Sequence, residues 1–284
     1  MDDKKIIAVI GSGTMGNGIA HVSALSGYSV FLVDIKGEFL EKAINKISTN
    51  MQKQADKGVI SEEQKTVALN AITTTINMPD VKNADLVIEA APENKSIKNK
   101  IFSSLDSICK PDTILASNTS SISITDLGKQ TSREDKVIGM HFMNPVPIMK
   151  LVEVVNGDKT SIETKNSIIQ FSKSMSKIPV ECNDFPGFIS NRILMPMINE
   201  AILCLDQKVA TKEAIDDIMT LGMAHPMGPL RLADLIGLDI CLDIMNVLFE
   251  GFKDDKYRPS ILLEKMVKDG NLGRKTGQGF YNYK

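Results

Sequence analysis

A predicted strand followed at once by a glycine-rich turn is the most constraining feature of this chain. The apolar run IIAVI, residues 6–10, leads directly into GSGTMGNGIA, residues 11–20. The run is short and branched, as in a strand buried on both faces of a parallel sheet. Gly11, Gly13 and Gly16 fit G-x-G-x-x-G, in which the glycines allow a tight turn, approach of a pyrophosphate, and close helix packing. The segment predicts a dinucleotide site with the pyrophosphate at a helix N-terminus.

A carboxylate follows the second predicted strand. SVFLV, residues 29–33, ends at Asp34, about twenty residues beyond the glycines, where the partner of a ribose 2′-hydroxyl belongs. A carboxylate there accepts hydroxyl bonds and repels a 2′-phosphate, so it favours NAD over NADP. The alternative is an aspartate that only caps a helix in a turn. Because Lys36 is near enough to tolerate a phosphate, NADP stays an alternative cofactor.

The two halves of this 284-residue chain differ in periodicity, and the length favours two domains. Strands alternate with helices up to about residue 185, which predicts an α/β, Rossmann-type, doubly wound parallel sheet. The predicted strands are 6–10, 28–33, 73–76, 85–90, 113–116, 137–142, 151–155 and 178–182. Beyond DFPG only helical periodicities occur, so we expect a nucleotide-binding domain over 1–185 and an all-α domain over 186–284.

Apolar residues at helical spacing predict which helix faces point to the core. Three stripes stand out: Leu40, Ala43, Ile44, Ile47 and Met51; Ile97, Ile101, Leu105 and Ile108; and, in the second domain, Ile189, Ile193, Met197 and Ala201. The helix-interior Gly18 is explained only by close packing. The second domain is richer in Ile, Leu and Met than its own core requires, so we expect it to carry a homodimer or higher homo-oligomer interface.

Composition and charge exclude several classes of function. The formal net charge is −2 and the pI about 6.0, so no general affinity for nucleic acid or membrane is implied. The four cysteines lie far apart without a C-x-x-C pair, which indicates a reducing compartment and no structural zinc. The N-terminal segment runs straight into a strand and leaves no room for a targeting peptide. We therefore expect a soluble cytoplasmic protein that needs no metal.

Polar side chains follow the later predicted strands, where open α/β sheets bind ligands. The segment SNTSS, residues 117–121, follows one strand, and His141 lies near the end of another. Glu153 lies in an apolar run, where a carboxylate is out of place unless paired. A histidine and a glutamate that meet form an acid–base pair near neutral pH. From spacing alone, however, a buried structural His141 is the better interpretation, and His21 and His225 are also expected to be structural.

Six segments along the whole chain resemble the L-3-hydroxyacyl-CoA dehydrogenase family, and within it the bacterial 3-hydroxybutyryl-CoA dehydrogenases. These segments are GSGTMGNGIA, DLVIEAAPEN, SNTSS, HFMNPVPIMKLVEVV, DFPGFISNRI and GRKTGQGFYNY. The resemblance implies an NAD-binding Rossmann domain and a helical domain that also dimerises. It implies interconversion of (S)-3-hydroxybutanoyl-CoA and acetoacetyl-CoA in fatty acid or butanoate metabolism.

The resemblance also implies roles for single residues. His141 matches the catalytic histidine, Glu153 its partner, Ser120 the oxygen-binding serine, and Asn191 an asparagine from the second domain, so domain closure should complete the site. Lys53 matches a CoA contact, as does Lys57, although a solvated helix face is the alternative. The matching cofactor contacts are Gly11, Gly13, Met15, Gly16, Asp34, Glu93, Lys98, Asn118 and Asn144.

Two rival functions stay open at this point. A β-hydroxyacid or sugar-acid dehydrogenase shares the two-domain plan but typically carries a lysine base. A non-catalytic dinucleotide-binding protein could be built on the same fold. The presence of both His141 and Glu153 argues against each of them.

Overall fold

The computed structural model describes residues 5–283, and the chain divides into two compact units between Asp184 and Phe185. The first unit holds one eight-stranded sheet in the order β3-β2-β1-β4-β5-β6-β7-β8. Its strands are β1 (Ile6–Ile10), β2 (Ser29–Val33), β3 (Ile72–Thr75), β4 (Leu86–Glu89), β5 (Ile114–Ser117), β6 (Val137–Phe142), β7 (Leu151–Asn156) and β8 (Ile178–Asn183). All eight predicted strands are confirmed, with their ends within one residue of the prediction.

The sheet is parallel only in part. Strands β1 to β6 run in one direction, whereas β7 pairs antiparallel with β6 and parallel with β8. The predicted doubly wound parallel sheet is confirmed for β1 to β6, but β7 and β8 run in the opposite direction, because residues 143–150 alone join β6 to β7 and a parallel crossover needs about a dozen or more residues. The longer connection from β7 to β8 contains a helix, so this pair can be parallel.

The α-helices of the first unit lie in the connections between its strands. They are α1 (Thr14–Leu25), α2 (Gly37–Asp56), α3 (Glu62–Asn70), α4 (Lys95–Ile108), α5 (Ile124–Gly128) and α6 (Ile162–Ser174), with short 3₁₀ turns at Met78–Val81 and Glu134–Lys136. The stripe predicted on α2 is confirmed, since Leu40, Ala43, Ile47 and Met51 are buried and Ile44 is partly buried.

The stripe predicted on α4 is confirmed for Leu105, which is buried, and in part for Ile101 and Ile108, which are partly buried, but it is wrong for Ile97. Ile97 is 42% exposed, and the buried residues of this helix are Lys98, Phe102 and Leu105. Hydrophobic periodicity did not place Lys98 on the buried face of α4, because lysine is ordinarily exposed to solvent. That lysine is buried because its ammonium is paired, which periodicity does not register.

The second unit is helical. Its elements are α7 (Ser190–Asp206), α8 (Lys212–Asp217), a π-helical turn (Ile218–Gly222), α9 (Pro229–Ile236), α10 (Leu238–Phe252) and α11 (Ile261–Lys268), with 3₁₀ turns at Asp255–Tyr257 and Arg274–Thr276. Ile189 and Ile193 are exposed, and α7 instead buries Met195, Ile198 and Ile202. The predicted stripe is therefore confirmed only for Ala201, which is buried, and in part for Met197, because α7 is apolar on more than one face.

Two buried aspartates hold the C-terminal segment of the second unit. Asp234 Oδ1 accepts from the N–H of Phe280 at 2.9 Å, and its Oδ2 accepts from the N–H of Tyr281 at 2.9 Å. The hydroxyl of Tyr281 donates to Asp216 Oδ2 at 2.8 Å. Any side chain at Gly279 would collide with the Asp234 carboxylate, because a Cβ there would lie 1.9 Å from Oδ1. The segment GQGFYNY therefore stabilises the second unit.

No helix within residues 5–283 has both the length and the apolar character needed to cross a membrane.

Candidate active site

A cavity of about 940 Å³ lies where residues follow β1, β2, β3 and β4. The glycine loop and the first turn of α1 line it, together with Asp34 after β2 and Ala90 and Ala91 after β4. Ile35, Ile76 and other apolar side chains complete the wall. The cavity occupies the carboxyl edge of the sheet, where doubly wound folds bind dinucleotides.

Each glycine of the loop has a distinct packing role. Gly11 has φ +98°, and a Cβ there would lie 2.6 Å from the carbonyl oxygen of Ala90. A Cβ on Gly16 would lie 1.8 Å from the carbonyl oxygen of Gly11, so the start of α1 packs directly on the turn. Gly13 differs, because beyond its chain neighbours and the adjoining helix backbone no protein atom lies within 4 Å of its Cβ position. That open space borders the cavity and admits a ligand against the backbone.

The residues of this cavity fit NAD. Gly13 is the N-cap of α1 and no side chain caps the helix, so the first N–H groups can bind an anion. The Gly13 opening lies beside this helix terminus, where a pyrophosphate would bind. Three lysines, Lys42, Lys46 and Lys100, also line the cavity, with Asp34 as its acid, so the lining is positive overall.

Asp34 is held firmly by its neighbours. Its Oδ2 accepts from the N–H of Ser12 at 2.7 Å and from the Ser12 hydroxyl at 2.6 Å, while Oδ1 accepts from the N–H of Ile35 at 2.7 Å. A carboxylate has about four acceptor sites, so one stays available for a ribose hydroxyl. Lys36 does not line the cavity, and its ammonium lies 4.0 Å from Glu38.

His141, near the end of β6, and Glu153, on β7, meet across two buried strands. They are opposite one another in the β6–β7 register, and Nδ1 of the imidazole lies 2.7 Å from Oε2 of the carboxylate. Both are largely buried, at 9% and 3% exposure. An ionised carboxylate on Nδ1 fixes the imidazole tautomer and stabilises the imidazolium, which leaves Nε2 as the atom for proton exchange.

Glu93 organises the segment that contains Ser120. Its Oε1 accepts from the Thr119 hydroxyl at 2.5 Å, from the N–H groups of Ser120 and Ser121 at 3.0 and 3.1 Å, and from the Ser121 hydroxyl at 2.8 Å. Burial favours a higher pKa for Glu93, but the Lys98 ammonium and these hydrogen bonds outweigh it and keep the pKa below its usual value. Glu93 is therefore an anion that fixes this segment.

Lys98 lies in the protein interior between two carboxylates. Its ammonium is 2.7 Å from Glu89 Oε1 and 3.4 Å from Glu93 Oε2, and it donates to the carbonyl oxygen of Ala91 at 3.2 Å. With 1% exposure and three acceptors around three N–H groups, it positions neighbouring residues. Glu89 was missed in the sequence, although an acid ending the apolar run DLVI is the signal that identified Glu153.

Buried contacts with α1 and with Lys177 hold the loop of residues 143–150 that follows β6. Val146 is buried against Gly18, whose Cβ would lie 2.8 Å from the Cβ of Val146, which confirms that Gly18 serves close packing. The buried ammonium of Lys177 donates to the carbonyl oxygens of Val146 and Met149. Burial lowers the pKa of Lys177. No sequence pattern singles out Lys177, a lysine between α6 and β8.

The 3-hydroxyacyl-CoA dehydrogenase NAD-binding domain matches residues 6–185, and the C-terminal domain of the same enzymes matches residues 187–283. The chain belongs to the 3-hydroxyacyl-CoA dehydrogenase family. It is an NAD-binding oxidoreductase fold with a helical C-terminal domain, as the resemblance implied.

Relatives within this family are similar over nearly their full lengths. A probable 3-hydroxybutyryl-CoA dehydrogenase of Deinococcus radiodurans is 55% identical, covering 97% of this chain and 99% of the relative. A 3-hydroxybutyryl-CoA dehydrogenase of Clostridioides difficile is 50% identical, covering 98% and 99%. The crystal structure of (S)-3-hydroxybutyryl-CoA dehydrogenase from Ralstonia eutropha is 46% identical with a TM-score of 0.97, covering 99% of this chain and all of that one.

The remaining residues that the dehydrogenase resemblance singled out lie in varied surroundings. Asn118 is half-buried after β5, and its side-chain oxygen accepts from the N–H of Phe142 at 2.9 Å, which ties the ends of β5 and β6 together. Asn144 is exposed after β6 and precedes a cis proline. Lys53 on α2 and Lys57 directly after it are exposed and lie outside the cavity, whereas Met15 lines it. Asn191 is buried on α7 in the second unit.

Proposed function

We propose that this chain interconverts (S)-3-hydroxybutanoyl-CoA and acetoacetyl-CoA, with NAD as the hydride carrier, in short-chain fatty acid or butanoate metabolism. The observation that carries the proposal is the His141–Glu153 pair, whose Nδ1 and Oε2 atoms are 2.7 Å apart. Membership of the 3-hydroxyacyl-CoA dehydrogenase family and the names of full-length relatives support the substrate. A lysine base, which the rival β-hydroxyacid dehydrogenases use, is not needed.

In this proposal His141 is the general base and acid. Its Nε2 takes the proton of the 3-hydroxyl during oxidation and returns it during reduction, while Glu153 offsets the imidazolium charge. The bound nicotinamide supplies hydride acceptance and donation at C3 of the acyl group. Ser120 donates a hydrogen bond to the reacting oxygen, and Asn191 donates a second. Such donors stabilise charge that develops on an oxygen.

The cofactor contacts are proposed to be the glycine loop, Met15 and Asp34 at the adenosine and pyrophosphate end, with Asn118 and Asn144 near the nicotinamide. Glu93 and Lys98 act by holding the surrounding backbone in place. For coenzyme A, exposed Lys53 and Lys57 are proposed to pair with its phosphates. NADP is the alternative cofactor, since Lys42, Lys46 and Lys100 add positive charge near Asp34.

The assembly and location are part of the same proposal. Exposed apolar side chains of the second unit, such as Ile193, Leu221 and Ile261, support a homodimer or higher homo-oligomer through that unit. Light scattering should then give a multiple of the 31.1 kDa chain mass, and a fragment of residues 1–185 should be monomeric. The four cysteines are free thiols, which supports a reducing compartment and hence the cytoplasm.

Turnover of acetoacetyl-CoA with NADH tests the activity directly. We expect NADH oxidation with the full chain, faster than with NADPH, and its loss in His141→Gln. Parallel assays on longer 3-ketoacyl-CoA substrates define the chain-length range. NADH binding by the wild-type protein without turnover of any 3-ketoacyl-CoA would favour the non-catalytic rival, and equal rates with NADPH would overturn the cofactor preference.

A further inference from the structure

We propose that Glu89 is a positioning residue for the proposed reaction. Acting through Lys98 and Ser117, it fixes the Glu93 carboxylate and the segment of residues 117–121 that contains Ser120. The expected effect on activity rests on the proposed function, whereas the positioning of residues 117–121 by Glu89 does not. Glu89 ends β4 and touches neither the cavity nor the predicted acid–base pair.

The Glu89 side chain is fully buried, with 0% exposure, and three donors surround it. Its Oε1 accepts from the Lys98 ammonium at 2.7 Å and from the N–H of Ala91 at 2.7 Å. Its Oε2 accepts from the hydroxyl of Ser117 at 2.6 Å. A buried carboxylate with this set of donors stays in one orientation, since any rotation would leave buried polar groups unpaired.

Two routes lead from Glu89 to the Ser120 segment. In the first, Lys98 bridges Glu89 and Glu93, and Glu93 binds the N–H groups of Ser120 and Ser121. In the second, the Ser117 hydroxyl that donates to Glu89 accepts from the N–H of Thr119 at 3.2 Å. Both routes end on consecutive residues of one segment, so Glu89 sets its position from two sides.

Charge explains why a carboxylate is needed at Glu89. Lys98 is 1% exposed and lies nearer to Glu89 than to Glu93. If the Glu89 charge is removed, the buried ammonium has a single carboxylate left and is drawn towards Glu93. Glu93 then has to turn from the N–H groups of Ser120 and Ser121 towards Lys98. The segment loosens, and the Ser120 hydroxyl loses its fixed position.

Glu89→Gln tests this, with Asp85→Asn as the matched control. Asp85 directly precedes β4 and Glu89 ends it, and each carboxylate lies 2.7 Å from a lysine ammonium. Asp85, however, pairs with Lys110 and accepts from the N–H of Ile6, at the opposite end of the strand from Glu89. We expect Glu89→Gln to lower kcat/KM for acetoacetyl-CoA roughly 10–100-fold, the range for a small misplacement of a site group. NADH affinity should change little, and Asp85→Asn should keep wild-type kinetics.

A double variant separates positioning from general damage. In a Ser120→Ala background, Glu89→Gln should lower kcat/KM for acetoacetyl-CoA much less than in the wild type, because Glu89 acts by positioning Ser120. Losses that multiply independently would overturn the proposal, as would wild-type kcat/KM in Glu89→Gln. If Glu89→Gln does not fold, Ser117→Ala removes one Glu89 contact and keeps the buried charge. It should give a smaller loss in the same direction, and no loss would contradict the second route.

Amide hydrogen exchange gives a readout that does not require activity. Glu89→Gln should speed exchange of the Ser120 and Ser121 N–H groups, whereas Asp85→Asn should leave them as in the wild type. Unchanged exchange in Glu89→Gln would overturn the structural part of the proposal. If the wild-type protein failed to turn over acetoacetyl-CoA but this exchange pattern were seen, the proposed function would be wrong and the Glu89 network would still stand.

Discussion

His141 and Glu153 face each other across an antiparallel strand pair, with imidazole Nδ1 2.7 Å from carboxylate Oε2. Because their Cα atoms are register partners, backbone hydrogen bonds between β6 and β7 set the distance between the side chains. Groups placed on strands are held more precisely than groups on loops. The reversal of chain direction after β6 therefore creates the pair, since it returns Glu153 directly opposite His141.

The first prediction is that His141 and Glu153 act as one unit. His141→Gln should lower kcat by about 10²–10⁴-fold, because it removes general acid–base catalysis. Glu153→Gln should cause much of the same loss, and the double variant should cost far less than the product of the two. NADH affinity, followed by fluorescence in a chain without Trp, should barely change.

Two results would contradict this prediction in different ways. Near-normal turnover in His141→Gln would refute the mechanism, and membership of the family would then support the fold alone. Losses that multiply would mean that Glu153 acts elsewhere, for example as a structural charge.

The second prediction is that Asp34 selects the cofactor. Asp34→Ser removes a charged acceptor for the ribose hydroxyl, worth about 1.5–3 kcal/mol, and a charge that repels a 2′-phosphate. NADH binding should weaken, and the NADPH-to-NADH ratio of kcat/KM should rise by roughly tenfold or more. Ser12→Ala is the control, since it removes a hydrogen bond to Asp34 but keeps the charge, so NADH should stay preferred. An unchanged ratio in Asp34→Ser would show that the assignment is wrong.

The third prediction separates two glycines of one loop. Gly16→Ala should destabilise the first unit by about 1–3 kcal/mol, because its methyl group would overlap the carbonyl of Gly11. Gly13→Ala should cost about 1 kcal/mol or less, the usual loss at an N-cap, because the space around it is open. Its methyl group would occupy that space, so NADH affinity should fall. Denaturant unfolding and NADH titration of both variants measure this, and unchanged NADH affinity in Gly13→Ala would place the pyrophosphate elsewhere.

The strands could be predicted here almost completely, and the buried helix faces only in part, since the stripe on α2 is confirmed whereas those on α4 and α7 are partly wrong. Strands such as β1 and β6 are compact apolar runs between turn signals, so their ends are visible in the sequence. On α4 and α7 the core face depends on tertiary partners. Lys98 is buried because Glu89 and Glu93 flank it, and Ile193 is exposed although it is apolar. Periodicity registers residue type and carries no information on such partners.

The candidate site was predictable where a motif fixes local geometry. The glycine loop and Asp34 line one cavity because strand, turn and helix are contiguous in sequence. The contact between His141 and Glu153 depends on β7 running antiparallel to β6. It could not be placed from the sequence, because a parallel sheet was predicted. Glu89 and Lys177 act through long-range contacts, to Ser117 and to the carbonyl of Val146, and no local pattern encodes those contacts.

The fourth prediction concerns pH and His21. Burial lowers the pKa of His21 below 6.5, the Lys177 charge lowers it further, and a hydrogen bond with Gln54 opposes this in part. Between its folded pKa and 6.5 the unfolded chain binds a proton that the folded chain does not, so the free energy of unfolding falls as pH drops through that window. His21→Gln should flatten the dependence there. Urea unfolding at about pH 7.5 and about pH 5.5 measures it, and an equal slope in both proteins would contradict the prediction.

The fifth prediction is that Asp234 stabilises the second unit through the C-terminal segment. Its carboxylate is 1% exposed and binds the N–H groups of Phe280 and Tyr281 and the hydroxyl of Tyr283. Asp234→Asn replaces one acceptor oxygen by an NH₂ group that faces these donors, so unfolding should become easier by roughly 1–3 kcal/mol.

Asp239→Asn is the matched control for this fifth prediction. Asp239 lies at the start of α10, the helix that follows the one carrying Asp234, but its side chain is 35% exposed and pairs with Lys275, so its loss should cost about 1 kcal/mol or less. Calorimetry of both variants measures the difference, and NADH titration should give wild-type affinity in each, because the cofactor cavity belongs to the first unit. Equal destabilisation by the two substitutions would mean that the buried contacts of Asp234 add nothing beyond a surface charge. A loss of NADH affinity in Asp234→Asn alone would mean that folding of the second unit controls the cofactor site.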